Sequence, residues 1–515
     1  MERFLYNRPI KKNPKINALF AFPAIESFAM SSLGYLSIFK QIDLMEDVYA
    51  ERYYSNSKTT QIMIEDVDVI GFSLSFEIDI FQVIKMLEKL NIPLYARDRD
   101  ESHPIIFAGG PVLTSNPLPY QEFFDFVNIG DSATKEVFEV LVNNSYKSRE
   151  QKLECISEIS GIWCPTNGDK YNIAPRVENI YEPVCTPILS DNCYFKDTFI
   201  IEIERGCPKM CNFCLASWHN LPFRTVDVDK IIKSIDFALQ YTNKIALLGA
   251  YVAGHPDFDK ILAHISACNK EKPIELSISS LRADLTDEKT VKTLVECGAK
   301  SATIAIEAGS ERLRKLINKD LSDEDILRTY DIAQSAGLKG LKAYMMIGHP
   351  NETQEDIEAI VSLMEKIKKA HKGFDVSLSI NTFIPKPHTP FEYLEREDKK
   401  SLERKINFLK KHLHMIGVKA AFSSVDWDGV QSLISRFDAP MGDYLIEVNK
   451  AGCKLGAFKT VWRDYSKKHN LPKYEEIIKY PMHNSGENSA FKWAFLHPNN
   501  TQTLKLAQEK FKNSI

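Results

Sequence analysis

Three cysteines stand close together in Arg205-Gly206-Cys207-Pro208-Lys209-Met210-Cys211-Asn212-Phe213-Cys214, spaced C-x3-C-x2-C. Gly206 and Pro208 favour a tight loop over a helix. Gathered thiols are soft ligands, and two kinds of centre suit them. A structural zinc ion takes four ligands, and His219, five residues past Cys214, would complete a Cys3His set. A cubane [4Fe–4S] cluster is held by thiolates, ordinarily four. Three would leave one iron open to an outside ligand. A third reading, inert buried thiols, does not account for such crowding in one loop. The other seven cysteines (Cys155, Cys164, Cys185, Cys193, Cys268, Cys297 and Cys453) are scattered and read as small buried hydrophobes.

The loop follows the strand-like run TFIIEIE (198–204). Further runs lie at 244–250, 274–279, 301–307, 341–348 and 374–380, with helical stretches between them such as 228–239, 323–337 and 353–370. Six β/α units in succession predict a full or partial (β/α) barrel over 193–395, with chemistry at the carboxyl ends of its strands. Residues 1–145 alternate in the same way, with strands at 16–22, 66–74, 104–110 and 124–131 and helices near 31–42, 78–90 and 134–142. That alternation predicts an open, doubly wound parallel sheet whose ligand crevice lies at the strands' carboxyl ends. The stretch 146–192 reads as a linker with room for a small hairpin, and 396–515 as a mainly helical, more polar region.

The 515 residues carry a net charge of −4, with 44% hydrophobic and 26% charged residues. This is an α/β globular composition, neither disordered nor that of a dedicated polyanion binder. No apolar run reaches the ~18 residues of a membrane span. The start, MERFLYNRPIKKNPK, lacks a signal peptide's apolar core. The expected location is the cytoplasm.

The cysteine spacing after a first barrel strand resembles the radical S-adenosylmethionine (SAM) superfamily. Other blocks extend the likeness: LLGAYVAGHPDF (247–258), SSLRAD (279–284), ATIAIEAGSERLRKLINKDL (302–321), YMMIGHPNETQED (344–356) and NTFIPKPHTPFE (381–392). The strand-four block is the closest and is similar to the coproporphyrinogen-dehydrogenase-like branch. The resemblance implies that Cys207, Cys211 and Cys214 hold a [4Fe–4S] cluster whose open iron binds SAM. It also implies a SAM site formed by Phe213, Gly249, Arg282, Glu307, Lys319 and Ile347. Gly249 would lie by the amino group, Glu307 by the ribose, Lys319 by the carboxylate and Ile347 against adenine. Ala250 and Asn351 depart from the family's glycines, and Lys319 stands where an Arg is common.

The N-terminal domain resembles the cobalamin-binding domain found in a subgroup of that superfamily. Ser73, Ser75, Gly109 and Gly110 would line its crevice. No histidine occurs before His103, so the D-x-H-x-x-G motif is absent. Cobalamin binding and a vestigial domain both stay open. Methylthiotransferases carry three cluster cysteines in this position, whereas the first cysteine here is Cys155. In the tail, 433–462 resembles the S-R-x-D segment of uncharacterised subgroup members. The basic positions Lys454, Lys459, Arg463, Lys467 and Lys468 read as a solvated face or a phosphate or RNA contact.

These likenesses imply an enzyme that cleaves SAM reductively to a 5′-deoxyadenosyl radical. It would draw electrons from a reductant such as flavodoxin or ferredoxin and act on an unknown substrate. Cobalamin-dependent methylation leads. A cobalamin-independent enzyme acting on RNA or a small molecule, and a non-catalytic zinc-stabilised binding protein, remain the alternatives.

Overall fold

A computed structural model describes residues 2–165, 173–480, 491–496 and 501–514. The expected linker and C-terminal region therefore fall partly outside the described residues.

The early apolar runs pair into one six-stranded sheet. In spatial order its strands are Val48–Tyr54, Ile16–Phe22, Val69–Ser73, Ile105–Gly109, Phe126–Asn128 and Ile162–Trp163. All neighbours are parallel except the last pair. In chain order the five parallel strands run 2-1-3-4-5, so the winding reverses beside Ile16–Phe22. Such a switch point opens a crevice at the strands' carboxyl ends. The sequence reading passes over Val48–Tyr54, an edge strand whose Glu51 and Arg52 interrupt its apolar alternation.

Alternating side chains serve two cores. Ala18, Phe20 and Phe107 face the helices Leu33–Asp43 and Thr134–Asn143. Leu19, Ala21 and Phe72 face the helix Ile80–Lys89. That second face also receives Leu433, Leu445, Phe458 and Trp462 from the helices Val425–Arg436, Gly442–Lys450 and Leu455–His469. Phe458 meets Phe81 edge-on at 5.4 Å. Part of the chain's last quarter thus covers the N-terminal sheet, giving its apolar helix faces a place to be buried.

The second α/β part is a curved parallel sheet in two segments. The first runs Thr198–Glu202, Lys244–Leu248, Glu275–Ile278, and the second Ser301–Glu307, Gly340–Ile347, Asp375–Thr382, Lys419–Phe422. A single bridge, Leu281 to Ile304, joins them. A seventh parallel strand, Lys419–Phe422, thus extends the six expected. On the other side, Thr198–Glu202 pairs antiparallel with Val184–Cys185, so this edge stays open. The stretch 146–192 also contributes the sheet strand Ile162–Trp163, and Ile188–Ser190 pairs with Glu2–Phe4. No helix among the described residues is long and apolar enough to cross a membrane.

Candidate functional site

The first barrel strand continues into the short strand Glu204–Arg205. Arg224–Thr225 pairs back on it antiparallel, closing the cysteine loop at its base. The loop's far side is strapped to the turn beyond the fourth strand. Asn212 N donates to Ile317 O at 3.0 Å, and Asn212 Nδ2 donates to Leu316 O at 3.1 Å. Asn318 Nδ2 donates to Met210 O at 2.8 Å. Trp218 Nε1 caps Cys211 O at 2.9 Å. The backbone carrying the thiols is therefore held by the protein itself.

Cys207 and Cys211 are buried and Cys214 half-buried. All three line a cavity of about 210 Å³, together with Phe213, Arg282, Glu307 and Lys319. Burial pushes the Cys211 thiol up to about 11, against the pull of Lys319 and Arg282, and raises Cys207 as well. Such thiols stay protonated until a cation compensates their charge.

The spacing bears on which centre fits. A single tetrahedral zinc would hold its thiolates about 3.8 Å apart. Among the described residues, one group of three potential ligand atoms lies mutually within 4.8 Å, and it is Asp236, His264 and Cys268. The three loop thiols do not all lie within that distance of one another, so they are not gathered around a single ion. His219 does not turn towards them. Its Nε2 faces Pro387 O at 3.2 Å, its ring lies against His388, and burial lowers it to about 4. The donors fit an iron–sulfur cluster better than a Cys3His zinc.

Glu307 reaches the cavity because the fourth strand bulges between Ala305 and Glu307, which itself takes φ 74°. This is a strained conformation for a non-glycine residue. Burial raises its carboxyl, opposed by Lys319, whose Nζ lies 3.7 Å away. Arg282 Nη2 donates to Lys319 O at 2.5 Å, and Arg282 Nε pairs with Asp284 Oδ1 at 2.7 Å. A cation, a carboxylate and a guanidinium thus meet over the thiols, a set suited to a zwitterionic amino acid and a ribose. Phe213 is braced from behind by His349, which stacks on Phe383.

Gly249 sits just outside this lining. A Cβ there would come within 2.0 Å of Glu204 Oε1, and its carbonyl accepts from Ser279 Oγ at 3.0 Å. Ile347 lies apart from the cavity. With Leu341, Ala343 and Met345 it faces the helix layer and is fully buried.

Glu204 escaped the sequence reading. Its Oε1 accepts from Tyr251 N at 2.5 Å, and its Oε2 is buried without a hydrogen-bond partner. Burial raises its carboxyl to about 7. The available signal was an acid inside the apolar run TFIIEIE, three residues before Cys207.

A second cavity, about 560 Å³, lies at the carboxyl ends of the N-terminal strands. Ser73, Ser75, Gly109 and Gly110 line it, as do Glu202, Arg205 and Leu248 of the barrel. Gly110 has φ 121°, and a Cβ there would collide with Leu74 O at 2.1 Å, so only glycine lets these backbones meet. Ser75 N is held by Asp79 Oδ2 at 2.7 Å. No histidine is among the lining residues. At the crevice edge Asp131 pairs with Arg205 at 2.8 Å and with Arg224 at 2.7 Å. Those arginines sit on the two strands that close the cysteine loop.

Two family models match the chain: "Radical SAM proteins, N-terminal" over residues 34–165 and "Radical SAM superfamily" over 201–364. An uncharacterized protein of Methanocaldococcus jannaschii is 32% identical over 394 residues, covering 74% of this chain and 80% of its own. An uncharacterized methyltransferase of Pyrococcus horikoshii is 26% identical, covering 61% of this chain and 67% of its own. A tRNA-2-methylthio-N(6)-dimethylallyladenosine synthase of Pelagibacter ubique is 23% identical, with the same two coverages. Among solved structures, the cobalamin-dependent SAM radical enzyme OxsB aligns with TM-score 0.52 at 15% identity, over 92% of this chain. The chain spans 65% of that protein's length, and the likeness is one of fold.

Proposed function

The chain belongs to the radical SAM superfamily, and from that premise we propose a methyl-transferring enzyme that places its SAM-bound cluster beside a cobalamin. Membership makes it an enzyme of [4Fe–4S] and SAM chemistry that needs an electron donor and a substrate. The non-catalytic zinc-binding alternative gives way to that membership.

Cys207, Cys211 and Cys214 would hold the cluster. Bound there, a [4Fe–4S] cluster would supply the electron for reductive cleavage of SAM. Lys319 and Arg282 provide positive charge for the SAM carboxylate, and Glu307 offers an acceptor for ribose hydroxyls. The strapped loop and buried thiols keep water from the reacting bond. Confinement of this kind is the protein's contribution where a cofactor carries the chemistry.

One observation carries the second cofactor: the crevice lined by Ser73, Ser75, Gly109 and Gly110 faces Glu202 and Leu248 of the first two barrel strands. The following residues, Cys207 on the first and Ala250 and Tyr251 on the second, line the cluster cavity. A group in the crevice is thereby a neighbour of the radical's origin. A corrin bound there would supply a transferable methyl group, and the crevice lining holds no histidine to offer it. The names of the Pyrococcus and OxsB relatives agree with this reading without naming a substrate. The domain limits 1–145, 146–192, 193–395 and 396–515 remain working divisions within it.

The test is product analysis with SAM labelled in its methyl group. Cobalamin-dependent methylation yields S-adenosylhomocysteine and 5′-deoxyadenosine together, with label in the product. 5′-Deoxyadenosine alone, with no methyl transfer in cobalamin-loaded enzyme, would favour the cobalamin-independent reading.

A further inference from the structure

We propose a separate metal site on the outside of the barrel, formed by Asp236, His264 and Cys268 and suited to a divalent cation of the zinc class. The residues come from the helices that follow the first and second barrel strands. Asp236 lies on Val228–Leu239, and His264 and Cys268 lie one turn apart on Phe258–Glu271. Residues four apart share a helix face, so both present their donors to the neighbouring helix.

His264 Nε2 lies 2.7 Å from Asp236 Oδ1 and 3.6 Å from Cys268 Sγ. A nucleophilic relay would use opposite ring nitrogens, one for the thiol and one for the carboxylate. Here a single nitrogen meets both, so the three donors converge on one point. Tetrahedral zinc, with bonds of about 2.3 Å to sulfur and about 2.0 Å to nitrogen, sets those two atoms about 3.6 Å apart. The observed nitrogen–sulfur distance already matches. The carboxylate oxygen must retreat to about 3.4 Å from the nitrogen, and Asp236, 53% exposed, has room to rotate.

The donor set selects the ion. A thiolate and an imidazole disfavour magnesium and calcium, which take oxygen ligands. One thiolate and one carboxylate together balance a divalent charge. The half-exposed position leaves the remaining coordination to water. An ion there ties together the two helices that back the cysteine-loop strand and the Gly249 strand, stabilising the fold by mass action. It takes no part in the proposed cluster.

The test uses cluster-loaded enzyme prepared without oxygen, titrated with Co2+ as the probe. The site predicts about one equivalent bound with a thiolate-to-cobalt absorption band, displaced by Zn2+. Cys268→Ser should lose the band, and His264→Ala and Asp236→Ala should weaken binding at least about tenfold. All three should keep their iron and their SAM cleavage, which shows that they fold. Wild type without a thiolate band, or Cys268→Ser that takes up Co2+ as wild type does, overturns the proposal. Neither result bears on the methylation reading.

Discussion

Cys211 and Glu204 lie within a few residues of each other and make opposite demands on an experiment. Cys211→Ala removes a buried proposed ligand. It should abolish 5′-deoxyadenosine formation and most of the iron, measured on anaerobically prepared protein. Unchanged SAM cleavage would remove Cys211 from the cluster. Glu204→Gln instead keeps an acceptor for Tyr251 N and removes a titration. Its folded value of about 7 lies above the ordinary 4.5. As pH rises between the two, the unfolded carboxyl ionises first, so wild type loses stability across that window, on the order of 1–3 kcal/mol. Denaturant melts at about pH 5 and about pH 8 should therefore show the variant gaining on wild type at the higher value. Parallel pH dependence would contradict the burial.

At this scale the cysteine loop was legible because its residues are consecutive. Glu307 and Lys319 were legible through their order along the chain. Glu204 was not, because its partner Tyr251 lies on the next strand. Ile347 stands off the cavity by one position of strand alternation: Leu341, Ala343, Met345 and Ile347 all point into the helix-packed core, and Met346 alternates to the other face.

Among the elements, the hairpin that closes the cysteine loop is joined to its surroundings by charge. Arg205 pairs with both Glu202 and Asp131, and Arg224 with Asp131. Asp131 is little exposed and also accepts from Glu178 N at 2.8 Å; against the upward push of burial, the two arginines and that hydrogen bond hold its carboxyl below the usual carboxylate range. It is a positioning residue between crevice and loop. Asp131→Asn keeps the shape and removes the charge. It should slow SAM cleavage several-fold and change the cluster's electron paramagnetic resonance spectrum with SAM bound, while iron content holds. A purely structural role would lower stability and leave that spectrum unchanged. Ion pairs between distant segments leave no spacing in a sequence, so neither Asp131 nor this network was visible beforehand. The N-terminal strands were visible because their apolar runs are buried on both faces, and the barrel strands because β-branched and apolar residues recur along them. The edge strand Val48–Tyr54 was missed because Glu51 and Arg52 break its pattern, and the seventh strand Lys419–Phe422 because four residues are too few to show one.

Across the whole molecule, the α/β order of the N-terminal and barrel parts followed from alternation alone, but their mutual placement did not. The sequence marks 425–469 only as part of a mainly helical, more polar region, yet its helices bury Leu433, Phe458 and Trp462 against the N-terminal sheet's helix. Surface complementarity of that kind is a property of two folded faces, invisible to periodicity. It leaves the strands' carboxyl ends, with Ser73 and Gly109, free to face the barrel. Ser73→Phe places a ring in that crevice. It should reduce cobalamin retention at least about tenfold while iron content and 5′-deoxyadenosine formation persist, because the first ligand's site is separate from the second's. Equal retention would move the corrin elsewhere.

The most direct measurement is the iron and cobalt content of protein purified without oxygen from cells supplied with cobalamin. A two-cofactor enzyme predicts about four iron and about one cobalt per chain. Full iron with no cobalt would contradict the paired arrangement and leave a radical SAM enzyme whose crevice serves another ligand.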